Sequence, residues 1–130
     1  MRAGIVHVSS IGGLGSSEGR SSYTASKAAL IGITHTGALE LGPHGVTVNC
    51  VCPGPIRTGM TEAIPERQKD LFAKRLVPMR RYGRPEEVAY MTLSLVDDRA
   101  SYVNGAVINV DGGIIANNAL LPMRLPGSKL

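Results

Sequence analysis

The chain has 130 residues, of which 43% are apolar and 18% are charged, and its net charge is +4. This composition is too apolar for an intrinsically disordered protein, and the length fits one globular domain at most. The longest apolar run, residues 28–33, is far shorter than the roughly 20 residues that cross a bilayer. We therefore expect that the chain is not a membrane protein. Because His7, Ser9 and Ser10 interrupt any apolar leader, no secretory signal is legible either, which predicts a cytoplasmic protein.

Strand-like apolar segments alternate along the chain with segments of helical spacing. Apolar strands separated by helices are typical of a parallel sheet with helices on its faces. The predicted fold class is therefore α/β, with three parallel strands and flanking helices. A doubly wound nucleotide-binding fold contains two such halves, so three strands correspond to one of them. The predicted strands are residues 4–8, 46–52 and 106–110, and the predicted helices are residues 23–41, 65–76 and 85–96.

The glycine-rich turn that binds a dinucleotide is not found in the sequence. Such a turn has the pattern G-x-G-x-x-G, follows a strand and opens a helix. Residues 13–18 come nearest, but Glu18 occupies the sixth position and more loop follows.

The cysteines and histidines do not have the spacing of metal ligands. Cys50 and Cys52 lie two positions apart in a predicted strand, so they point to the same face, where a disulfide between them does not fit. We interpret both as small core residues. His7, His35 and His44 share no ligand spacing and receive no role, so no metal site is predicted.

Seven basic residues occur between positions 67 and 84, but acidic residues interleave or flank them. A nucleic-acid surface is usually an uncompensated basic stripe with stacking aromatic side chains. Only Phe72 and Tyr82 are nearby. A solvated surface of mixed charge is therefore predicted, without nucleic-acid binding.

Tyr23 and Lys27 are four residues apart in a predicted helix, so they share one face of it. A free phenol ionises near pH ~10, and a nearby cation favours the phenolate, which lowers the pKa of the phenol toward the range useful for proton exchange with an alcohol or carbonyl oxygen. The pair therefore indicates Tyr23 as a general acid or base that Lys27 tunes. An ordinary helix surface gives the same spacing, and on the pair alone that alternative stays open.

Other candidate residues follow the predicted strands at the end where ligands bind in open parallel sheets. Ser10 follows the first strand, and its hydroxyl can donate to the same substrate oxygen as Tyr23. The second strand ends in Pro53-Gly54-Pro55, a stiff corner that lets the backbone approach a flat ligand closely, and an exposed Thr58 follows. Simple turns are the alternative interpretation of both segments.

Five short motifs follow one another along the chain: residues 8–10 (VSS), 23–30 (YTASKAAL), 48–54 (VNCVCPG), 102–105 (YVNG) and 110–113 (VDGG). Together they resemble those of the classical short-chain dehydrogenase/reductase family, in the same order and at compatible spacing. The resemblance covers about residues 4–113 and is nearest in character to 3-oxoacyl-carrier-protein reductases. It implies that residues 1–113 form the C-terminal half of a doubly wound, Rossmann-like domain and that residues 114–130 form a tail.

The resemblance also implies roles for particular residues. Tyr23 matches the catalytic acid/base of the family. Lys27 matches the lysine that lowers the pKa of that tyrosine and holds the nicotinamide ribose, and Ser10 matches the serine that polarises the substrate oxygen. The implied activity is hydride transfer between NAD or NADP and a carbonyl or secondary alcohol of a small molecule. The loop beside the nicotinamide end of the cofactor is matched by Pro53, Gly54, Ile56 and Thr58.

Two further segments match family features. Residues 59–77 fall where the family has a mobile substrate lid, and their apolar content predicts an apolar substrate. The helix at residues 23–41 resembles the dimer-forming helix of the family. The predicted partners are therefore a small-molecule substrate and further copies of the chain, as a dimer or tetramer, with no nucleic acid and no membrane.

The chain departs from the family pattern because it begins where the fifth strand of the family normally begins. The glycine-rich cofactor turn, the residue that selects NAD or NADP and the asparagine of the catalytic tetrad have no counterpart. We expect a truncated product whose independent activity is in question. One alternative is an idle module that docks through its sheet edge or through helix 23–41. Another is an epimerase or dehydratase of the extended branch, although Pro53-Gly54 and the ending at residues 111–113 favour the classical branch.

The last three residues, Ser128-Lys129-Leu130, match a peroxisomal import signal at a C-terminus. A peroxisomal location is therefore an alternative to the cytoplasm.

Overall fold

A computed structural model describes residues 3–15 and 17–117, and within these ranges it contains three strands. They are β1 (Gly4–Val8), β2 (Thr47–Pro53) and β3 (Val107–Val110). Their order in the sheet is β1-β2-β3, and both neighbouring pairs run parallel. This confirms the predicted α/β fold with three parallel strands. The possible import signal at Ser128-Lys129-Leu130 and most of the predicted tail lie outside the described residues.

The helices follow the predicted pattern closely. None of the helices in the described ranges is long and apolar enough to cross a membrane. The predicted lid at residues 59–77 forms two helices joined by a short turn, and α1 begins two residues before its predicted start. The helices are α1 (Ser21–Leu41), α2 (Gly59–Glu62), α3 (Glu66–Leu76) and α4 (Pro85–Val96), with 3₁₀ turns at Ile11–Gly13, Gly42–His44 and Asp98–Ala100.

Helices cover both faces of the sheet. Gly37 of α1 packs on Val48 of β2, where a Cβ on the glycine would lie 3.4 Å from the valine methyl carbons. One register position away, a Cβ on Gly4 of β1 would lie 3.2 Å from Cγ1 of Val96 in α4. Because successive side chains along a strand point to opposite faces, α1 and α4 lie on opposite sides of the sheet.

Strand β2 forms the centre of the core, and each residue from Thr47 to Cys52 is buried. Burial of this extent is expected for a strand with a neighbour on each side and a helix on each face. Cys50 and Cys52 are both 0% exposed, which confirms their predicted place in the core. Burial raises the pKa of the Cys52 thiol to about 11, with a further contribution from Cys50, so Cys52 stays a neutral thiol at physiological pH.

Two asparagines fasten the segment before β3 to the rest of the fold. The side chain of Asn104 accepts a hydrogen bond from the Val48 N–H at 2.9 Å and donates one to the Ala38 carbonyl of α1 at 2.9 Å. Asn49 of β2 donates to the Val103 carbonyl at 2.9 Å. These bonds join residues that are far apart in sequence. They satisfy backbone N–H and C=O groups that have no partner within the strands and helices.

The segment after β2 builds a second, smaller core. Phe72 of α3 meets Tyr82 edge to face, with ring centroids 6.0 Å apart. Ile11 packs against this cluster from the turn that follows β1. Helix α3 is therefore attached to the turn that follows the first strand. The buried members of the cluster are Ala73, Val77, Tyr82 and Ile114.

Ion pairs also hold the segments around α3 and the start of α4. The Glu66 carboxylate accepts hydrogen bonds from Arg57 at 3.0 and 3.1 Å and from Lys69 at 2.9 Å. Hydrogen bonds from Arg57 and then Lys69 lower the pKa of Glu66 to about 2. Arg81 and Glu87 make a similar pair at 2.7 Å. Glu66 and Glu87 therefore each pair with basic residues of this region, which agrees with the predicted surface of mixed charge.

We expect Asn104→Ala to lower the free energy of unfolding by roughly 2 kcal/mol, because a buried donor that loses its partner costs about 1–3 kcal/mol. The donor is the N–H of Val48, a residue that is 1% exposed. Urea denaturation followed by circular dichroism measures the change. Asn109→Ala is the matched control, since Asn109 is an exposed residue of β3 and its loss should change stability by less than about 0.5 kcal/mol. Equal stability of the two variants would contradict the assigned role of Asn104.

Candidate active site

The parallel register places the ends of β1 and β2 side by side. Val8 pairs with Val51, and the N–H of Ser9 donates to the Val51 carbonyl at 2.9 Å. Ser10 and Pro53, which follow these strands, therefore lie at the same edge of the sheet. In open parallel sheets this carboxyl edge is where ligands bind.

Ser10 begins the short turn Ile11–Gly13. Its backbone is extended, with φ −167° and ψ 158°, and its Oγ accepts a hydrogen bond from the Gly12 N–H at 3.0 Å. The bond uses the serine oxygen as an acceptor, so the hydroxyl hydrogen remains available. Within the described residues no acceptor takes that hydrogen, and the group can donate to a substrate oxygen.

Helix α1 presents Tyr23 and Lys27 one turn apart, on one face, as its periodicity requires. The Lys27 Nζ lies 5.9 Å from the centroid of the Tyr23 ring, and the guanidinium of Arg20 lies 5.3 Å from it. Both distances fall within the range of cation–π attraction. The tyrosine side chain is 40% exposed, so it faces the open edge rather than the core.

Gly12 brings the serine and the tyrosine together. A Cβ on Gly12 would lie 2.9 Å from Cε1 of Tyr23 and 3.4 Å from Oγ of Ser10. The two side chains therefore both lie close to the position that a side chain of this residue would occupy. A larger residue in this position would force the phenol ring away from the serine hydroxyl.

Two hydrogen bonds attach the Lys27 residue to the end of β1. The ammonium Nζ donates to the Val8 carbonyl at 3.2 Å, and the backbone carbonyl of Lys27 accepts from the Ser9 hydroxyl at 2.7 Å. Gly13 closes over this contact, since a Cβ there would lie 2.8 Å from the carbonyl carbon of Lys27. The first turns of α1 are thus held directly against the strand end.

The corner after β2 also packs too closely for side chains. A Cβ on Gly54 would lie 2.8 Å from the Cα of Asp111, the residue after β3. Ile56 forms a parallel bridge with Gly83, and the Arg57 N–H donates to the Gly83 carbonyl at 2.9 Å. The corner therefore rests on β3 on one side and on the segment before α4 on the other.

Thr58 lies just beyond the bridge, immediately before α2. Its N–H donates to Oγ1 of Thr61 at 2.9 Å, and its side chain is exposed. The structure thus places Pro53, Gly54, Ile56 and Thr58 in one loop that leads from the carboxyl edge of the sheet into the lid.

Sequence reasoning named Ser10, Tyr23, Lys27 and the loop, but it missed Ser9, Gly12 and Gly13. Each of these three acts through a contact between the end of β1 and α1, which no periodicity reveals. The pair of glycines two positions after Ser10 is the one local signal that a close approach follows. His7, which received no role, is bonded to Thr34 of α1 at 2.9 Å and belongs to the support of the sheet.

Comparison with known proteins supports this architecture. A family model described as enoyl-(acyl carrier protein) reductase matches residues 1–115. The 3-oxoacyl-[acyl-carrier-protein] reductase of Thermotoga maritima is 47% identical over 111 residues, which is 85% of this chain and 45% of the relative. A rat (3R)-3-hydroxyacyl-CoA dehydrogenase is 41% identical over 113 residues, covering 87% of this chain and 43% of the relative.

A solved structure of a short-chain type dehydrogenase/reductase from Mycobacterium ulcerans superimposes with a TM-score of 0.80 at 37% identity. The match covers 87% of this chain and 42% of that one. The chain thus spans less than half the length of these relatives. The family model covers most of the chain, and the sequence relatives and the solved structure are all dehydrogenases or reductases. The chain therefore belongs to the short-chain dehydrogenase/reductase family of oxidoreductases.

Proposed function

We propose that this chain provides the catalytic residues of an oxidoreductase that interconverts a carbonyl and a secondary alcohol with a nicotinamide cofactor. The observation that carries the proposal is the contact of Ser10 and Tyr23 with the same glycine, Gly12, while Lys27 lies one helical turn further along. This arrangement presents a hydroxyl donor, a phenol and a cation at the carboxyl edge of a parallel sheet.

Each of the three groups has a chemical task in this proposal. The Ser10 hydroxyl donates a hydrogen bond to the substrate oxygen and so polarises the carbonyl. Tyr23 donates a proton to that oxygen during reduction and accepts one during oxidation. Lys27 carries a positive charge near the phenol ring, and this charge stabilises the negative charge that proton transfer leaves on the tyrosine oxygen.

The residues present fit the nicotinamide end of NAD or NADP. Within the described residues the Lys27 ammonium donates only to Val8, so two of its three hydrogens are free for ribose hydroxyls. Because Gly54 packs closely against Asp111, the loop from Pro53 to Thr58 is held in place beside the position proposed for the nicotinamide end. When bound, the cofactor would supply or accept the hydride. The choice between NAD and NADP stays open.

For the substrate we propose a 3-oxoacyl thioester and its 3-hydroxyacyl counterpart. The names of the bacterial and rat relatives specify these acyl groups. Apolar side chains of the lid region are available to an acyl chain, because Met60, Leu71 and Met79 are 92%, 53% and 61% exposed. The reductase and dehydrogenase names also favour the classical branch over an epimerase or dehydratase.

We further propose that a second copy of the chain packs on the outer face of α1. This face has a shallow groove of about 460 Å³, with Ile33 57% exposed and Leu39 79% exposed beside it. Small residues let two helices approach closely, and the groove is lined by Ala29, Gly32, Ile33, Thr36, Gly37 and Glu40. Assembly without turnover is the alternative function that the same surface supports.

The cytoplasmic location stays a prediction. The comparisons give no support to the peroxisomal alternative, and Ser128-Lys129-Leu130 lies outside the described residues.

Tyr23→Phe should lower turnover of a 3-oxoacyl thioester by about 10²–10⁴-fold, because it removes the proton donor and keeps the ring. Consumption of NADH or NADPH, followed by absorbance, measures the rate. Tyr102→Phe is the matched control, because Tyr102 is fully exposed in the loop before β3. The turnover of this variant should equal that of the parent chain. Turnover that survives in the Tyr23 variant would exclude Tyr23 as the acid/base.

Gly12→Ala should fold with near-parent stability but lose turnover by roughly 10²-fold, because the added methyl displaces the exposed Tyr23 ring from Ser10. Thermal unfolding and the same absorbance assay separate the two effects. Gly32→Ala is the control for stability, since a Cβ on Gly32 meets nothing within 4 Å of the same chain, and Tyr102→Phe again is the control for turnover. Full activity of Gly12→Ala would show that the contact across this glycine does not matter for the reaction.

Ile33→Glu should shift the chain toward the monomer, because it places a charge in the apolar groove of α1. Sedimentation equilibrium over a range of concentrations measures the state. Leu71→Glu, on the exposed surface of α3, is the control and should leave the assembly unchanged. A parent chain that sediments as a monomer throughout would remove the proposed interface.

A further inference from the structure

We propose that Ser9 is a positioning residue for the reaction: its hydroxyl sets where the first turns of α1, and with them Tyr23 and Lys27, lie relative to Ser10. The inference rests on the proposed function for its effect on turnover, but the geometric part of it can be tested without any activity.

Ser9 is fixed to the sheet and to the helix at once. Its N–H donates to the Val51 carbonyl at 2.9 Å, and its Oγ donates to the Lys27 carbonyl at 2.7 Å. The residue is only 4% exposed. Its backbone therefore continues the sheet while its side chain holds a helical residue directly above the strand end.

The contact is closed to water on one side and continues into the core on the other. A Cβ on Gly13 would lie 2.9 Å from Oγ of Ser9 and 2.9 Å from the Lys27 oxygen. Ser9 itself is buried, and Val51 and Cys52 of the neighbouring strand end are 0% exposed. A hydrogen bond that is shielded from water is stronger than one in water, and its loss costs more free energy.

The first half of α1 is held by contacts with the end of β1 and the turn after it rather than by buried side chains of its own. The buried residues of this helix are Thr34 and Ala38, both in its second half. From Ser21 to Ile33 no described side chain of the helix is buried, so the turns with Tyr23 and Lys27 are placed by their contacts with the strand end and with Gly12 and Gly13. The ammonium bond of Lys27 to Val8 is longer, at 3.2 Å, and exposed, which makes it the weaker tie.

A second buried hydroxyl on the same helix provides a matched comparison. Thr34 is 0% exposed, donates to the Leu30 carbonyl at 2.7 Å and is bonded to His7 at 2.9 Å. Like Ser9, it links β1 and α1 through a hydroxyl, but it lies about two helical turns beyond Lys27. Removing it should weaken the fold without moving the site.

The test compares Ser9→Ala with Thr34→Ala and with Ser9→Thr, which keeps a hydroxyl. The geometric readout is the NMR shift of the Gly12 α-hydrogens, one of which points at the Tyr23 ring and is shifted by its ring current. Tyr23→Leu defines the shift without the ring. We expect Ser9→Ala to move the signal more than half way to that value, and Thr34→Ala and Ser9→Thr to leave it near the parent value.

The kinetic readout is turnover of a 3-oxoacyl thioester. Ser9→Ala should lower kcat by about 10- to 100-fold with KM changed less than about threefold, since a small misplacement of reacting groups acts mainly on the chemical step. Thr34→Ala should keep kcat, and Ser9→Thr should restore most of it. A parent chain without turnover would overturn the proposed function, whereas the Gly12 shift would still decide the placement by Ser9.

Two outcomes would overturn the positioning role. One is an unchanged Gly12 signal in Ser9→Ala. The other is a loss of kcat that is proportional to the loss of stability, with the same proportion in Ser9→Ala and in Thr34→Ala. Should Ser9→Ala not fold, the parent chain decides: a buried, bonded Ser9 hydroxyl gives a slowly exchanging NMR signal with a nuclear Overhauser contact to α1, and its absence contradicts the proposal.

Discussion

The parallel alignment of β1 with β2 is the constraint on which the rest of the structure depends. Because Val8 pairs with Val51, the chain leaves both strands at the same edge, where Ser10 and the Pro53 corner stand side by side. A slip of one residue would turn every side chain of β1 to the other face. Ser9 would then no longer point at α1, and the serine, tyrosine and lysine would no longer meet.

Glycine residues make possible the close approach of α1 to the end of β1. Gly12 lies close to both Ser10 and Tyr23, and Gly13 lies against the carbonyl of Lys27. A helix that comes this near the strand end buries little apolar surface in its first half, so hydrogen bonds from the strand carry the placement that packing provides elsewhere. The site is therefore organised by backbone contact and by short polar bonds, and the apolar core lies below it around β2.

Much of the fold was predictable because its signals are local. Apolar runs gave the strands within one residue, and helical spacing gave α1, α3 and α4 within two residues at their ends. The proximity of Tyr23 and Lys27 follows from the helical repeat alone. The contacts of Asn49 and Asn104, and those of Ser9 and Gly12, were not predictable in the same way. They join segments far apart in the chain, so only the folded arrangement reveals them. The roles of Ser10, Tyr23, Lys27 and the loop residues remain predictions.

The central claim is that this chain forms a site for the nicotinamide end of a cofactor. The most direct test is a titration of the folded parent chain with NADH and with NADPH, followed by nicotinamide fluorescence, beside Lys27→Met, which keeps the length of the side chain and removes its charge. We expect saturable binding of at least one cofactor by the parent chain and weaker binding by Lys27→Met. A folded parent chain that binds neither cofactor would contradict it.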